Sequence, residues 1–199
     1  MLVIAGAFFC DHSKKNLLFL SGTNTNLQRF QMIDYKDFTI KAVLKEKACA
    51  EQVLVELGAK FEGEDFQHDY YFKTSSGKLK FRKSTSELLI AHYERVVINN
   101  FEKTIVHRYD INPSDLEIKQ LFDSNEIIGE TRKIRKLYYF KNVAVHLDKL
   151  SNGKEFIEVE AKDFDNSYTE LELQEQCLFV FKKLDISKSD IVRTGYLNH

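Results

Sequence analysis

Hydrophobic and polar residues alternate along eight short runs of this chain, at 36–43, 66–73, 77–83, 88–96, 104–111, 130–140, 142–149 and 155–161. Side chains of a β-strand point alternately to its two faces, so each run predicts a strand with one apolar and one polar face. The runs are rich in aromatic and β-branched residues, as strands are. Ser75-Ser76-Gly77, Lys141-Asn142 and Ser151-Asn152-Gly153 read as short connections, which favours antiparallel neighbours over parallel crossovers. Three other segments follow the helical period. In 45–57, Ala50, Val53, Leu54 and Leu57 fall on one face and Gly58 follows as a C-terminal cap. Segment 113–123 has Asn112 in a cap position, Pro113 at the first helical position, and a stripe of Ile118, Leu121 and Phe122. A third helix is predicted over 169–184, burying Leu171, Cys177, Leu178, Phe181 and Leu184. The order strand, helix, several strands starts at 36 and again at 104, the outline of a degenerate internal duplication. The predicted fold class is α+β, with eight antiparallel strands, enough for a β-barrel, and flanking helices.

At 199 residues and 43% hydrophobic content, the chain can bury one sizeable core. Patterning begins only near Asp34, so residues 1–31 are expected to be an N-terminal extension outside the core, with Met32 a candidate initiator and 32–199 the domain. The apolar run Met1 to Cys10 is too short to cross a bilayer. Lys+Arg 29 against Asp+Glu 30 leaves a net charge of -1, which argues against a general electrostatic role on nucleic acid or a membrane. Any positive site must be local. Cys10, Cys49 and Cys177 fall in no metal or disulfide spacing, and the expected location is cytoplasmic. No glycine-rich phosphate loop and no zinc signature is present, so a bound phosphate must be held by side chains projecting from strands.

Charge placement on the polar faces supplies the candidate chemistry. Lys78, Lys80 and Arg82 carry one sign along one strand, and Lys133 and Arg135 along another. A strand face that only meets water usually mixes signs, Ser and Thr. Like charges on facing strands are unfavourable unless an anion lies between them, and a triphosphate would supply that anion. Glu158 and Glu160 share a face, with Asp148 across the Ser151-Asn152-Gly153 turn. Hard divalent cations take oxygen ligands and bridge phosphates, so these carboxylates are candidates for a metal, and an exposed edge strand is the plain alternative. His146 reads first as a structural hydrogen-bonder, and Tyr70, Tyr71, Tyr138 and Tyr139 as packing residues. Tyr196 either closes the pocket or anchors the tail.

Three stretches carry a resemblance to a known family. Gln67-His68-Asp69-Tyr70-Tyr71-Phe72 is similar to a Q-x-D-x-Y-F run, and Gly77-Lys78-Leu79-Lys80-Phe81-Arg82 to G-R-L-K-L-R. Lys133 through Glu160 then supplies Lys-x-Arg, His-Leu-Asp and Phe156-Ile157-Glu158-Val159-Glu160. Together they resemble the CYTH family, the triphosphate tunnel metalloenzymes, whose members include class IV adenylate cyclases and thiamine triphosphatases. Leu89 to Arg95 looks like the next strand of the cyclase branch. The resemblance spans roughly residues 35–197 and implies an eight-stranded antiparallel barrel holding a triphosphate in its tunnel. It implies phosphate contacts from Lys41, Lys80, Arg82, Arg95, Lys133 and Arg135, with Lys41, Lys133 and Arg135 catalytic. Asp37, Asp148, Glu158 and Glu160 would hold Mg²⁺ or Mn²⁺. The implied reaction is ATP to cyclic AMP and pyrophosphate; the alternatives are hydrolysis of an inorganic or organic triphosphate, and a catalytically weak polyphosphate or nucleotide binder. A homodimer is also implied. One departure stands out, because the family's E-x-E-x-K signature here reads Asp37-x-Thr39-x-Lys41, with a neutral hydroxyl where a glutamate is expected.

Overall fold

All eight predicted strands form in the computed structural model, which describes residues 36–98, 101–163, 166–193 and 195–198. The expected extension at 1–31, Cys10 and Met32 lie outside these residues. The elements run β1 (Lys36–Val43), α1 (Lys47–Glu56), β2 (Lys60–Phe72), β3 (Lys78–Ser84), β4 (Leu88–Ile98), β5 (Phe101–Ile111), α2 (Asp115–Ser124), β6 (Ile127–Phe140), β7 (Val143–Leu150), β8 (Glu155–Asp163) and α3 (Glu170–Lys183). Strands β2 and β6 start earlier than their alternation suggests. They pair with each other through two register shifts, between Phe61 and Gly63 and between Tyr71 and Phe72, which scramble the period there.

The strands make one antiparallel sheet in the order β1-β8-β7-β6-β2-β3-β4-β5. Read from its centre, this order repeats: β6-β7-β8-β1 on one side matches β2-β3-β4-β5 on the other, as the duplicated outline predicts. The sheet curls so that its two edge strands approach, yet no β1–β5 ladder closes it among the described residues. The edges are joined by side chain instead. Asp37 on β1 accepts hydrogen bonds from the backbone N–H and the hydroxyl of Thr104 on β5, both at 3.0 Å.

Apolar residues of the strands face outward, under the helices. Phe38, Ile40, Val145, Leu147, Ile157 and Val159 pack beneath α1 and α3, while Phe72, Phe81 and Ile90 pack beneath α2. The polar residues are thereby turned into the concave side. Ser75-Ser76-Gly77 is a hairpin connection, and Gly77 has φ +68 with Tyr93 O only 2.5 Å from where a Cβ would sit, so no other residue fits that turn. The start of α2 differs from expectation. Ser114 caps it in a reciprocal capping box with Glu117, whereas Asn112 sits at φ 52 and accepts a hydrogen bond from Leu88 N–H. In α3 the buried face is Leu173, Cys177, Val180 and Phe181, and Leu171 in the first turn is 62% exposed. Leu171 lies about 200° around the helix from Leu173, on the face turned away from the sheet. No described helix is long and apolar enough to cross a membrane.

Candidate active site

The concave face encloses a cavity of about 800 Å³. Among the described residues, ten Lys and Arg side chains line it against four carboxylates, so its field favours an anion. Lys41, Lys80, Arg82, Arg95, Lys133 and Arg135, drawn from four strands, all reach it. The structure therefore brings together every cation expected from the sequence.

Two of these cation pairs are held in the same way. On β3, Arg82 donates Nε and Nη2 to the two oxygens of Asp69 on β2, at 2.6 and 2.7 Å, and Lys80 Nζ lies 3.7 Å from the same carboxylate. On β6, Arg135 donates the same pair of atoms to Asp148 on β7, at 2.6 Å each, and Lys133 Nζ donates to Asp148 at 2.9 Å. Each half of the duplication thus carries a Lys-x-Arg whose arginine is gripped by one buried aspartate. Bidentate grips of this kind fix both the position and the plane of a guanidinium. Burial by itself would raise Asp69 and Asp148, yet the adjacent Lys and Arg charges outweigh it and hold both far below the usual carboxylate range. Burial and the Arg82 charge push Lys80 down to about 7, against the pull of Asp69. Burial and Arg135 push Lys133 down to about 8, against Asp148.

Tyr196 serves both roles open to it. Its ring lies under Lys41 Nζ at 4.1 Å and Lys133 Nζ at 4.5 Å, and its hydroxyl donates to Asp148. The tail that carries it is fastened by Val192 N–H to the Lys41 carbonyl at 2.8 Å.

The four expected metal ligands divide. Asp148 is 1% exposed and spends its oxygens on Arg135, Lys133 and Tyr196. Asp37 spends its oxygens on Thr104 across the sheet edges, and burial followed by the Glu160 charge raises it above its ordinary value. Neither belongs to the one group of described residues with mutual ligand spacing, which is His146, Glu158 and Glu160, their donor atoms within 4.8 Å of one another. Glu158 lies at longer range from its cations: 3.5 Å from Lys41, 3.4 Å from Arg135 and 4.0 Å from Arg95. Burial would raise it, but Lys41 and Arg135 hold it well below the usual range. Burial and the Arg135 charge push His146 well below its usual value, leaving a neutral imidazole. Two carboxylates and a neutral imidazole are a chemically sensible donor set for a divalent cation. Sequence reasoning gave neither Asp69 nor His146 a place in the site. Asp69 stood inside a matched motif with no stated role, and the alternation that put His146 on the face of Asp148 was its only signal.

The CYTH domain model matches residues 38–196, and the chain belongs to this family. A curated relative from Methanocaldococcus jannaschii, "Putative adenylate cyclase MJ0240", is 26% identical over 168 residues, covering 79% of this chain and 94% of that protein. The structure of protein PH1012 from Pyrococcus horikoshii superposes with a TM-score of 0.70 at 22% identity, covering 81% and 98% of the two chains. The Hippeastrum protein HpAC1, named a "putative adenylyl cyclase" with a dominant triphosphatase activity, aligns with a TM-score of 0.56 at 13% identity, covering 83% of this chain and 94% of that one. Membership in the triphosphate tunnel metalloenzymes implies dependence on a divalent metal.

Proposed function

We propose that this protein is a metal-dependent enzyme acting on a nucleoside triphosphate, converting ATP to cyclic AMP and pyrophosphate. The observation that carries this reading is the convergence of six buried or half-buried cations on one cavity beside a carboxylate–imidazole cluster. Lys80, Arg82, Lys133 and Arg135 form the floor on which the phosphates lie, and Lys41 and Arg95 close over them near Glu158. Arg82 and Arg135 are already oriented by their aspartates, so little reorganisation is needed when negative charge shifts toward the leaving group. Lys41, Lys133 and Arg135 are the cations assigned to that charge. A divalent cation held by Glu158, Glu160 and His146 would add further positive charge against the phosphate oxygens. Asp37 and Asp148 act here as positioning residues.

Hydrolysis of the triphosphate is the second reading, supported by the triphosphatase activity described for HpAC1 on the same fold. Incubating the protein with ATP and Mg²⁺ or Mn²⁺ and resolving the products decides between them. Cyclic AMP with pyrophosphate is the expected result. ADP with phosphate would establish hydrolysis, and unreacted ATP together with binding would establish a silent nucleotide binder.

The lysines make a separate prediction. A polyanion favours the charged forms of Lys80 and Lys133, which lie at about 7 and 8 without one. Tripolyphosphate binding at pH 8 should therefore take up protons. Affinity should be greatest where both lysines are already protonated and fall as pH rises above about 7 to 8, by at most about tenfold per unit for each lysine. Calorimetry in buffers of different ionisation enthalpy measures the uptake, and a buffer-independent enthalpy at pH 8 would exclude it.

A further inference from the structure

The cluster at the β7–β8 ladder holds a nitrogen donor whose consequence for the choice of ion the metal-dependent reading leaves open. His146 on β7 is directly opposite Glu158 on β8, and Glu160 is next along the same face. The imidazole is 7% exposed, and its Nδ1 is buried without a hydrogen-bond partner. A buried polar atom left unpaired is destabilising, and a ligand bound at this nitrogen would offset that cost. The donor atoms of Glu158 and Glu160 lie within 4.8 Å of a ring nitrogen, which is the spacing of groups sharing one ion.

The other side of the cluster explains why a nitrogen donor matters here. Thr39 on β1 is paired with Glu160 across the β1–β8 ladder and offers only a neutral hydroxyl, which itself leans toward Asp37 at 3.4 Å. Asp37 and Asp148 are consumed by Thr104 and by Arg135 with Lys133. Glu158 and Glu160 remain as the anionic donors, Glu160 also lying 3.1 Å from Lys162 Nζ, and the His146 nitrogen is the third donor of the cluster.

We propose that His146 is a direct metal ligand, and that its nitrogen makes this centre select Mn²⁺ and the later first-row divalent ions over Mg²⁺. This rests on the metal-dependent reading above and names the ion class that reading leaves open. Imidazole binds Mn²⁺ weakly and Co²⁺ or Zn²⁺ more strongly, whereas Mg²⁺ prefers oxygen and retains its waters. The preference should therefore rise from Mg²⁺ to Mn²⁺ to Co²⁺.

Metal titration of the full chain without nucleotide tests the inference. Competition against Mn²⁺, followed by the electron paramagnetic resonance signal of the free ion, should give affinities at least roughly tenfold higher for Mn²⁺ and Co²⁺ than for Mg²⁺. Pulsed resonance on the Mn²⁺-loaded wild type should show coupling to a ¹⁴N nucleus, which is lost in His146→Gln. That variant should lose about tenfold or more in Co²⁺ affinity while its Mg²⁺ affinity changes little. Absence of ¹⁴N coupling in the wild type would overturn the proposal whether or not the variant folds, as would a His146→Gln protein with unchanged Co²⁺ affinity. Tripolyphosphate binding without metal is measured in parallel. If it persists while no divalent ion binds, the ligand role of His146 fails and the polyphosphate reading stands; if it is absent while the nitrogen coupling is present, the reverse holds.

Discussion

Replacing Asp148 with alanine should lower the unfolding free energy by about 3–5 kcal/mol, the usual cost of stranding a buried charge by deleting its partner. Two cations are stranded together. Lys133 is 3% exposed and the Arg135 side chain 12% exposed, and both are bonded to this one carboxylate. Tyr196 loses its hydroxyl acceptor as well, which loosens the tail fastened over the cavity. Chemical denaturation with and without tripolyphosphate measures the effect. The anion should restore part of the lost stability, because it neutralises the cations that Asp148 no longer faces. A loss below about 1 kcal/mol would mean that water reaches these groups and that the site is wetter than its burial indicates. Arg135→Ala would strip Asp148 of its bidentate partner, leaving it Lys133 and Tyr196, and take from Glu158 one of its three facing cations, so this arginine cannot be removed as a simple probe of phosphate affinity.

Asp69→Ala, the equivalent replacement in the other half of the duplication, should cost a similar amount, with a pH dependence of defined sign. In the wild type Asp69 attracts both Arg82 and Lys80, and Lys80 loses its proton near pH 7. Below that pH, the variant forfeits attraction to two charges. Well above it, Lys80 is neutral in both proteins and only the Arg82 interaction is forfeited. The destabilisation should therefore be larger at pH 6 than at pH 9. Comparing unfolding free energies of the two proteins at both values checks this, and a pH-independent difference would show that Asp69 serves Arg82 alone.

Most strands were legible because they have one face under a helix and one in the cavity, so burial writes a period of two directly into the residue order. Lys80, Arg82, Lys133 and Arg135 were legible for the same reason. Their aspartates were harder to assign. Asp69 and Arg82 are 13 residues apart, as are Asp148 and Arg135, and only the cross-strand register shows that each carboxylate is engaged by a guanidinium. Without that register, Asp148 looks like any other acid near a phosphate, and its engagement by Arg135, Lys133 and Tyr196 stays hidden. The partner of Asp37 is hidden similarly, since Thr104 lies 67 residues away on the opposite edge strand. The misplaced cap at Asn112 has a local cause: Asn, Pro and Ser in succession offer two cap residues, and the reciprocal Glu117 selects Ser114.

The junction between Asp37 and Thr104 sets where this tube can yield. Elsewhere around the circumference, neighbouring strands are stitched by at least six paired residues, so parting them means unzipping a run of backbone contacts. At the β1–β5 hem, the described closure is one carboxylate clasping one threonine. Dilation of the bore to admit a bulkier guest is therefore cheapest at this clasp, beside the wall that carries Lys41 and Glu160.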